Sequence, residues 1–165
     1  MICDDTTLGA VQVILKELYA LKRIDPSASI SVIERQTIVY LYDGAEKSKW
    51  DEKRPHSANA RRLRIGALKS FTGKNYPITY DHCIPLATLR DGLAESIVDE
   101  NSLRQYLAKY IQGVVITKDE DGLLRKHKLS KSMPVGSDPH DMTARYRAAG
   151  IALDPEDEVL LSTRI

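Results

Sequence analysis

Apolar residues recur at helical spacing from the start of the chain. Val11, Ile14, Leu15, Leu18 and Leu21 fall at three- and four-residue steps, the pattern of a helix with one buried face. Asp5 or Thr6 stands where an N-cap is wanted. Asp25-Pro26 stops the helix, because the residue before proline is pushed out of helical backbone. Ser31 and Glu34 have the Ser-x-x-Glu spacing of a capping box. The run that follows, Ile33 to Tyr42, is apolar enough for a buried helix. Its β-branched residues, Val32, Ile33, Thr37, Ile38 and Val39, leave a strand open. Asp43-Gly44 ends the segment in either case.

Residues 45–56 are mostly charged, with Trp50 among them, and read as a linker. Ser57 caps a helix to about Ser70, with Leu63 and Ala67 inward and Arg61, Arg62, Arg64 and Lys69 fanning outward. Thr72-Gly73-Lys74-Asn75 is a turn. Ile78-Thr79-Tyr80 is a short strand that leads into Asp81-His82. A helix from Leu86 to Ile97 follows. Asp99 caps another, with Leu103, Tyr106, Leu107 and Tyr110 on one side and Gly113 at its end. Val114-Val115-Ile116 is a second short strand. Thr117 and Glu120 repeat the capping-box spacing and open a helix to about His127. Ser130 to Ser137 is a loop. Asp138-Pro139 is a cap with proline at the first helical position, and that helix runs to Ala149, where Gly150 ends it. Asp154-Pro155 opens a last turn. The fold class is therefore α+β, predominantly helical, with short strands at about 78–82 and 114–117. The 165 residues suit a single domain: an N-terminal helical layer over 1–44, the linker over 45–56 and a main body over 57–165.

Composition refines this picture in three ways. Lys plus Arg is 24 against 23 for Asp plus Glu, so overall charge selects no partner. Local charge does: from Lys53 to Tyr80 there is no acid, while Lys53, Arg54, Arg61, Arg62, Arg64, Lys69 and Lys74 are all basic. Such segregation can draw a polyanion to one face. A second basic cluster, Arg125-Lys126-His127-Lys128 with Lys131, strengthens that reading, and His56 could join a phosphate clamp. Secondly, Cys3 and Cys83 match neither a disulfide framework nor a zinc-ligand spacing, so they read as free thiols of a reducing cytoplasm. Thirdly, no stretch reaches the ~20 apolar residues of a membrane span, and the acidic start lacks the order of a signal peptide.

The strongest candidate for chemistry is Tyr80-Asp81-His82-Cys83-Ile84-Pro85-Leu86. An acid and an imidazole stand side by side at a strand end. Asp81-His82-Cys83-Ile84-Pro85-Leu86 resembles the first motif of HNH endonucleases, the ββα-metal family. The resemblance implies a strand pair and a helix around one divalent ion, Mg²⁺ or Mn²⁺. It implies Asp81 as metal ligand and His82 as the general base that activates water. It matches Asn101 to the family's bracing Asn and His127 to its last metal-binding His. These residue types suit the task, since a neutral imidazole takes a proton near pH 7 and a carboxylate with an imidazole can hold a divalent ion against a phosphate. The spacing from Asn101 to His127 is longer than the compact family motif, and the Cys pairs of many members are missing.

Two functions follow as expectations. One is a metal-dependent HNH-like nuclease, with Arg54, Arg61, Arg62, Arg64, Lys69 and Lys131 holding the nucleic-acid backbone. The alternative is a non-catalytic binding or inhibitor protein of the phage or mobile-element type, needing no cofactor and acting on nucleic acid or a nucleoprotein complex. Neither involves a membrane.

Overall fold

The computed structural model of the chain describes residues 4–43, 53–67 and 77–163. Most of the 45–56 linker lies outside these, as do Trp50, the 72–75 turn and Cys3. The architecture is predominantly helical α+β, with one antiparallel pair of short strands among the described residues. The chain falls into two compact units: Met1–Ser48 with Leu89–Ile111, and Lys49–Thr88 with Gln112–Ile165.

In the first unit, α1 (Asp5–Ile24) buries Leu8, Val11, Leu15, Leu18 and Tyr19. Its cap is Asp4, whose carboxylate accepts the Thr7 N–H at 2.7 Å. α2 (Ser31–Arg35) begins without the expected capping box. Glu34 turns inward instead, 1 % exposed, and accepts bonds from the Tyr19 hydroxyl at 2.7 Å and from Arg90 Nε at 3.1 Å and Nη2 at 2.5 Å. A buried carboxylate is worth more to the fold against a guanidinium than against its own N-cap.

The helix then widens into a π-helical segment, Gln36–Tyr42. The Asp43 N–H reaches back five residues to Ile38 O at 3.0 Å, and the Thr37 hydroxyl donates to Ile33 O at 2.8 Å. The segment is therefore helical, and the strand its β-branched residues left open does not form. α4 (Leu86–Ser96, in this unit from Leu89) and α5 (Glu100–Tyr110) complete the layer. Gln12 Nε2 donates to Ile97 O at 3.0 Å and ties α1 to the α4–α5 corner. Packing on α1 brings Leu89–Ile111 into the same unit as the N-terminal helices.

The second unit is built on β1 (Ile78–His82) and β2 (Gly113–Thr117), paired antiparallel with Ile78 opposite Thr117 and His82 opposite Gly113. Every residue of β2 is buried. Residues 55–57 pair beside β2, with Ser57 N donating to Val115 O at 2.9 Å and Val115 N to Pro55 O at 2.8 Å. Residues 152–154 lie beyond them, with Asp154 N donating to His56 O at 3.0 Å. α3 (Ala58–Ala67) follows Ser57, whose hydroxyl accepts the Ala60 N–H at 3.1 Å as a cap. Ala60 packs with Ile78 and Val115, and Leu63 and Tyr80 cover that cluster.

β2 runs directly into α6 (Lys118–Lys126) through a complete Thr117–Glu120 capping box. Glu120, 4 % exposed, accepts from the Ser57 hydroxyl at 2.6 Å, Thr117 N at 2.8 Å and Asn59 Nδ2 at 3.0 Å, so one carboxylate joins three segments. α7 is shorter than its expected span: it covers Ala144–Ala149 only. Asp138 and Asp141 side chains accept the N–H groups of His140 at 2.8 Å and Thr143 at 2.9 Å, and these local turns replace the first helical turns. α8 (Pro155–Ser162) starts at the Asp154 cap, and the expected last turn is a full helix.

Candidate functional site

The alternation of β1 separates the two residues of the Asp81-His82 motif onto opposite faces. The His82 ring lies on the Tyr80 side, edge-on at 5.3 Å between centroids. Tyr80 covers Gly113, where an added Cβ would come within 2.3 Å of the tyrosine Cζ. Arg54 lies over the same tyrosine, its guanidinium carbon 5.5 Å from the ring centroid and its Nη1 donating to the hydroxyl at 3.1 Å. His82 Nε2 is buried from solvent.

Asp81 faces the other way, toward α7. Its Oδ2 accepts from Arg145 Nη1 at 3.1 Å and from the Tyr146 hydroxyl at 2.9 Å; Oδ1 accepts from Arg145 Nη2 at 3.4 Å. Arg145 is 1 % exposed. It also donates to the carbonyls of His82 and Cys83, and its Nε donates to Leu129 O at 2.6 Å. One guanidinium thus binds the end of β1 and the turn after α6. Burial raises the Asp81 carboxyl above its ordinary range, and the Arg145 charge and Tyr146 bond act against that rise. The Cys83 thiol is fully buried and pushed up to about 12, chiefly by desolvation. It is a packing residue and not a nucleophile.

The remaining candidates lie on other elements. His127 is the exposed C-cap of α6. Asn101 is an exposed first-turn residue of α5, in the first unit, while Asp81, His82 and His127 belong to the second. Among the described residues no three His, Cys, Asp or Glu side chains form a group able to hold a metal ion. The donor set as arranged does not suit a divalent cation, because Asp81 already accepts from a buried guanidinium.

Arg61 does not fan outward: its Nη2 donates to Asp157 at 2.6 Å and its Nε lies 3.5 Å from Asp154. His56 is not a surface clamp either. It is fully buried, its N–H donating to Asp157 at 2.8 Å and its Nδ1 to Arg54 O at 2.5 Å. Arg62 is exposed. The Arg64 side chain and Lys69 lie outside the described residues.

The second basic cluster stands differently. Arg125, Lys126, His127, Lys128 and Lys131 are all exposed, and no acid occurs between Asp121 and Asp138. Arg125 pairs with Asp121 at 2.7 Å across one helical turn, an exposed contact of small energetic weight. Sequence reasoning missed Arg145 and Tyr146, which lie 64 and 65 positions from Asp81. No family model, curated protein or solved structure matches this chain. No described helix is long and apolar enough to cross a membrane.

Proposed function

We propose that the second unit binds nucleic acid, alone or in a nucleoprotein complex of the cytoplasm, without hydrolysing it. The observation that carries this reading is the exposed basic run Arg125–Lys131 at the end of α6. Arg125 and Lys126 already complement the negative helix end. Lys128 and Lys131 lie past it, so the run exceeds what the helix needs and offers several cations to a phosphate backbone. Asp81 supports binding over hydrolysis, because its carboxylate is committed to Arg145 and Tyr146. The Asp81-His82 pair then serves as the structural anchor of β1.

The test is fluorescence anisotropy of labelled single-stranded and duplex oligonucleotides across a salt series. Affinity should fall linearly on a log–log plot. The triple variant Lys126→Ala/Lys128→Ala/Lys131→Ala should reduce the slope by about 2–3 and weaken binding uniformly across sequences. Salt-insensitive binding, or a slope the triple variant leaves unchanged, refutes the reading.

One observation favours a second reading, the metal-dependent nuclease. β1 and β2 pair antiparallel and β2 runs into α6, which packs on both strands, with Asp81-His82 at the end of β1; in the chain α4 and α5 stand between the two strands. A strand pair with a helix packed on it is the arrangement that the HNH resemblance implies, here with two helices inserted between the strands. The reading requires Asp81 to exchange Arg145 and Tyr146 for Mg²⁺ or Mn²⁺. Hydrolysis of an oligonucleotide that depends on either ion and disappears in His82→Ala would establish it in place of the first.

A further inference from the structure

Helices α6 and α7 end in the same way, with one difference. After α7, Gly150 N donates to Arg147 O at 3.1 Å and Ile151 N to Tyr146 O at 2.9 Å, and Gly150 takes the left-handed backbone at φ 70°. After α6, Lys128 N donates to Arg125 O at 3.0 Å and Leu129 N to Leu124 O at 2.8 Å, with Lys128 at φ 60°. Both are Schellman closures, whose left-handed position is usually glycine because a Cβ there meets the backbone. Lys128 is the one non-glycine residue with positive φ among the described residues. Leu124 and Leu129 are both buried under it. Arg145 Nε holds the Leu129 carbonyl at 2.6 Å, and Asp81 holds Arg145. The conformation is thus imposed from outside the turn, the condition under which backbone strain persists and points to a use for the side chain.

We propose that Lys128 is a phosphate-contacting residue of the basic surface, presented by a strained turn that Arg145 pins. This rests on the nucleic-acid reading above. The chain places glycine where only closure is needed and lysine where the closure lies amid exposed cations. Helix-end electrostatics do not require it, since Arg125 and Lys126 occupy the last turn.

The experiment compares the full-length parent with Lys128→Gly, Lys128→Asn and Lys128→Arg, in thermal unfolding and in anisotropy with labelled oligonucleotides. Lys128→Gly relieves the strain and should raise Tm by about 2–4 °C. It should also weaken binding roughly eight-fold near 0.1 M salt and lower the salt slope by about 0.9, as one lost phosphate contact predicts. Asn tolerates the left-handed backbone, so Lys128→Asn should lose affinity like glycine without its added chain freedom. Lys128→Arg should bind as the parent does. If the parent binds and Lys128→Gly binds equally well, the assignment is overturned while the wider reading stands. A Lys128→Gly variant less stable than the parent also overturns it, because the lysine then serves the fold. If the parent binds no oligonucleotide, both fall together.

Discussion

Replacing Arg145 with Met should cost the second unit about 4 kcal/mol. The guanidinium is 1 % exposed and serves Asp81 through two nitrogens, the carbonyls of His82 and Cys83, and the Leu129 carbonyl at 2.6 Å. Methionine keeps much of the stem volume and removes every donor. Leaving the Leu129 and His82 carbonyls unmatched in the interior costs roughly 1–3 kcal/mol each, and stranding one member of a buried ion pair costs about 3–5 kcal/mol. These overlap, so about 4 kcal/mol is the working figure. At roughly 2–4 °C per kcal/mol for a chain of this size, Tm should fall by about 8–16 °C.

The loss should depend on pH with a defined sign. The Asp81 carboxyl already titrates above its ordinary range in the fold because of burial, and Arg145 opposes that rise. Without Arg145 the folded value climbs further. A carboxyl raised in the folded state favours folding below its unfolded value and loses that contribution as pH rises through the folded value. The deficit of Arg145→Met should therefore be largest at neutral pH and shrink toward the ordinary carboxylate range. Urea unfolding followed by circular dichroism at neutral and mildly acidic pH measures both. A deficit under about 1 kcal/mol, or one that grows on acidification, would mean that Arg145 does not hold Asp81 as an ion pair.

Two further substitutions probe the same unit. Gly113→Ala drives a Cβ into the Tyr80 ring, 2.3 Å from Cζ, and should cost about 1–3 kcal/mol in urea unfolding; the cost should shrink when Tyr80 is also replaced by Leu, and an unshrunk cost would show that the clash lies elsewhere. Glu120→Gln turns one of the acceptors for Ser57, Thr117 and Asn59 into a donor and should cost about 1–3 kcal/mol, read as a lower denaturation midpoint at constant m; no change would mean that the capping box alone carries this carboxylate.

The parts of the fold legible in the sequence are those set by neighbours along the chain. The α1 stripe, the Asp99 cap, the Thr117–Glu120 box and the apolar run of β2 all act within a few residues, and each element forms where the pattern predicts, although Leu21 of the stripe is exposed and Gly113, expected to end α5, opens β2 instead. Local chemistry also explains one failure: side chains of Asp138 and Asp141 bond their own backbone and shorten α7 from the front. Glu34 fails for the opposite reason. Its Ser-x-x-Glu spacing is overridden by Arg90, which is 56 positions away.

The candidate site follows the same division. Asp81 and His82 lie at the strand end that the residues predict, but what Asp81 can do is decided by Arg145 and Tyr146. Arg61 shows the same limit, as its charge is answered by Asp157, 96 positions on. No pattern of alternation or spacing carries pairings of that range. Arg125 to Lys128, by contrast, are contiguous in the chain, and they and Lys131 stand exposed as written.

The most direct test is an amide nitrogen–proton correlation spectrum of the full chain, titrated with an unlabelled oligonucleotide. The largest shift changes should fall on the residues from Leu123 to Ser132, centred on Lys128, with the oligonucleotide intact at the end. Changes centred on Asp81 and His82 with the 123–132 amides unmoved, or an oligonucleotide cut during the titration, would contradict binding without hydrolysis at the basic run.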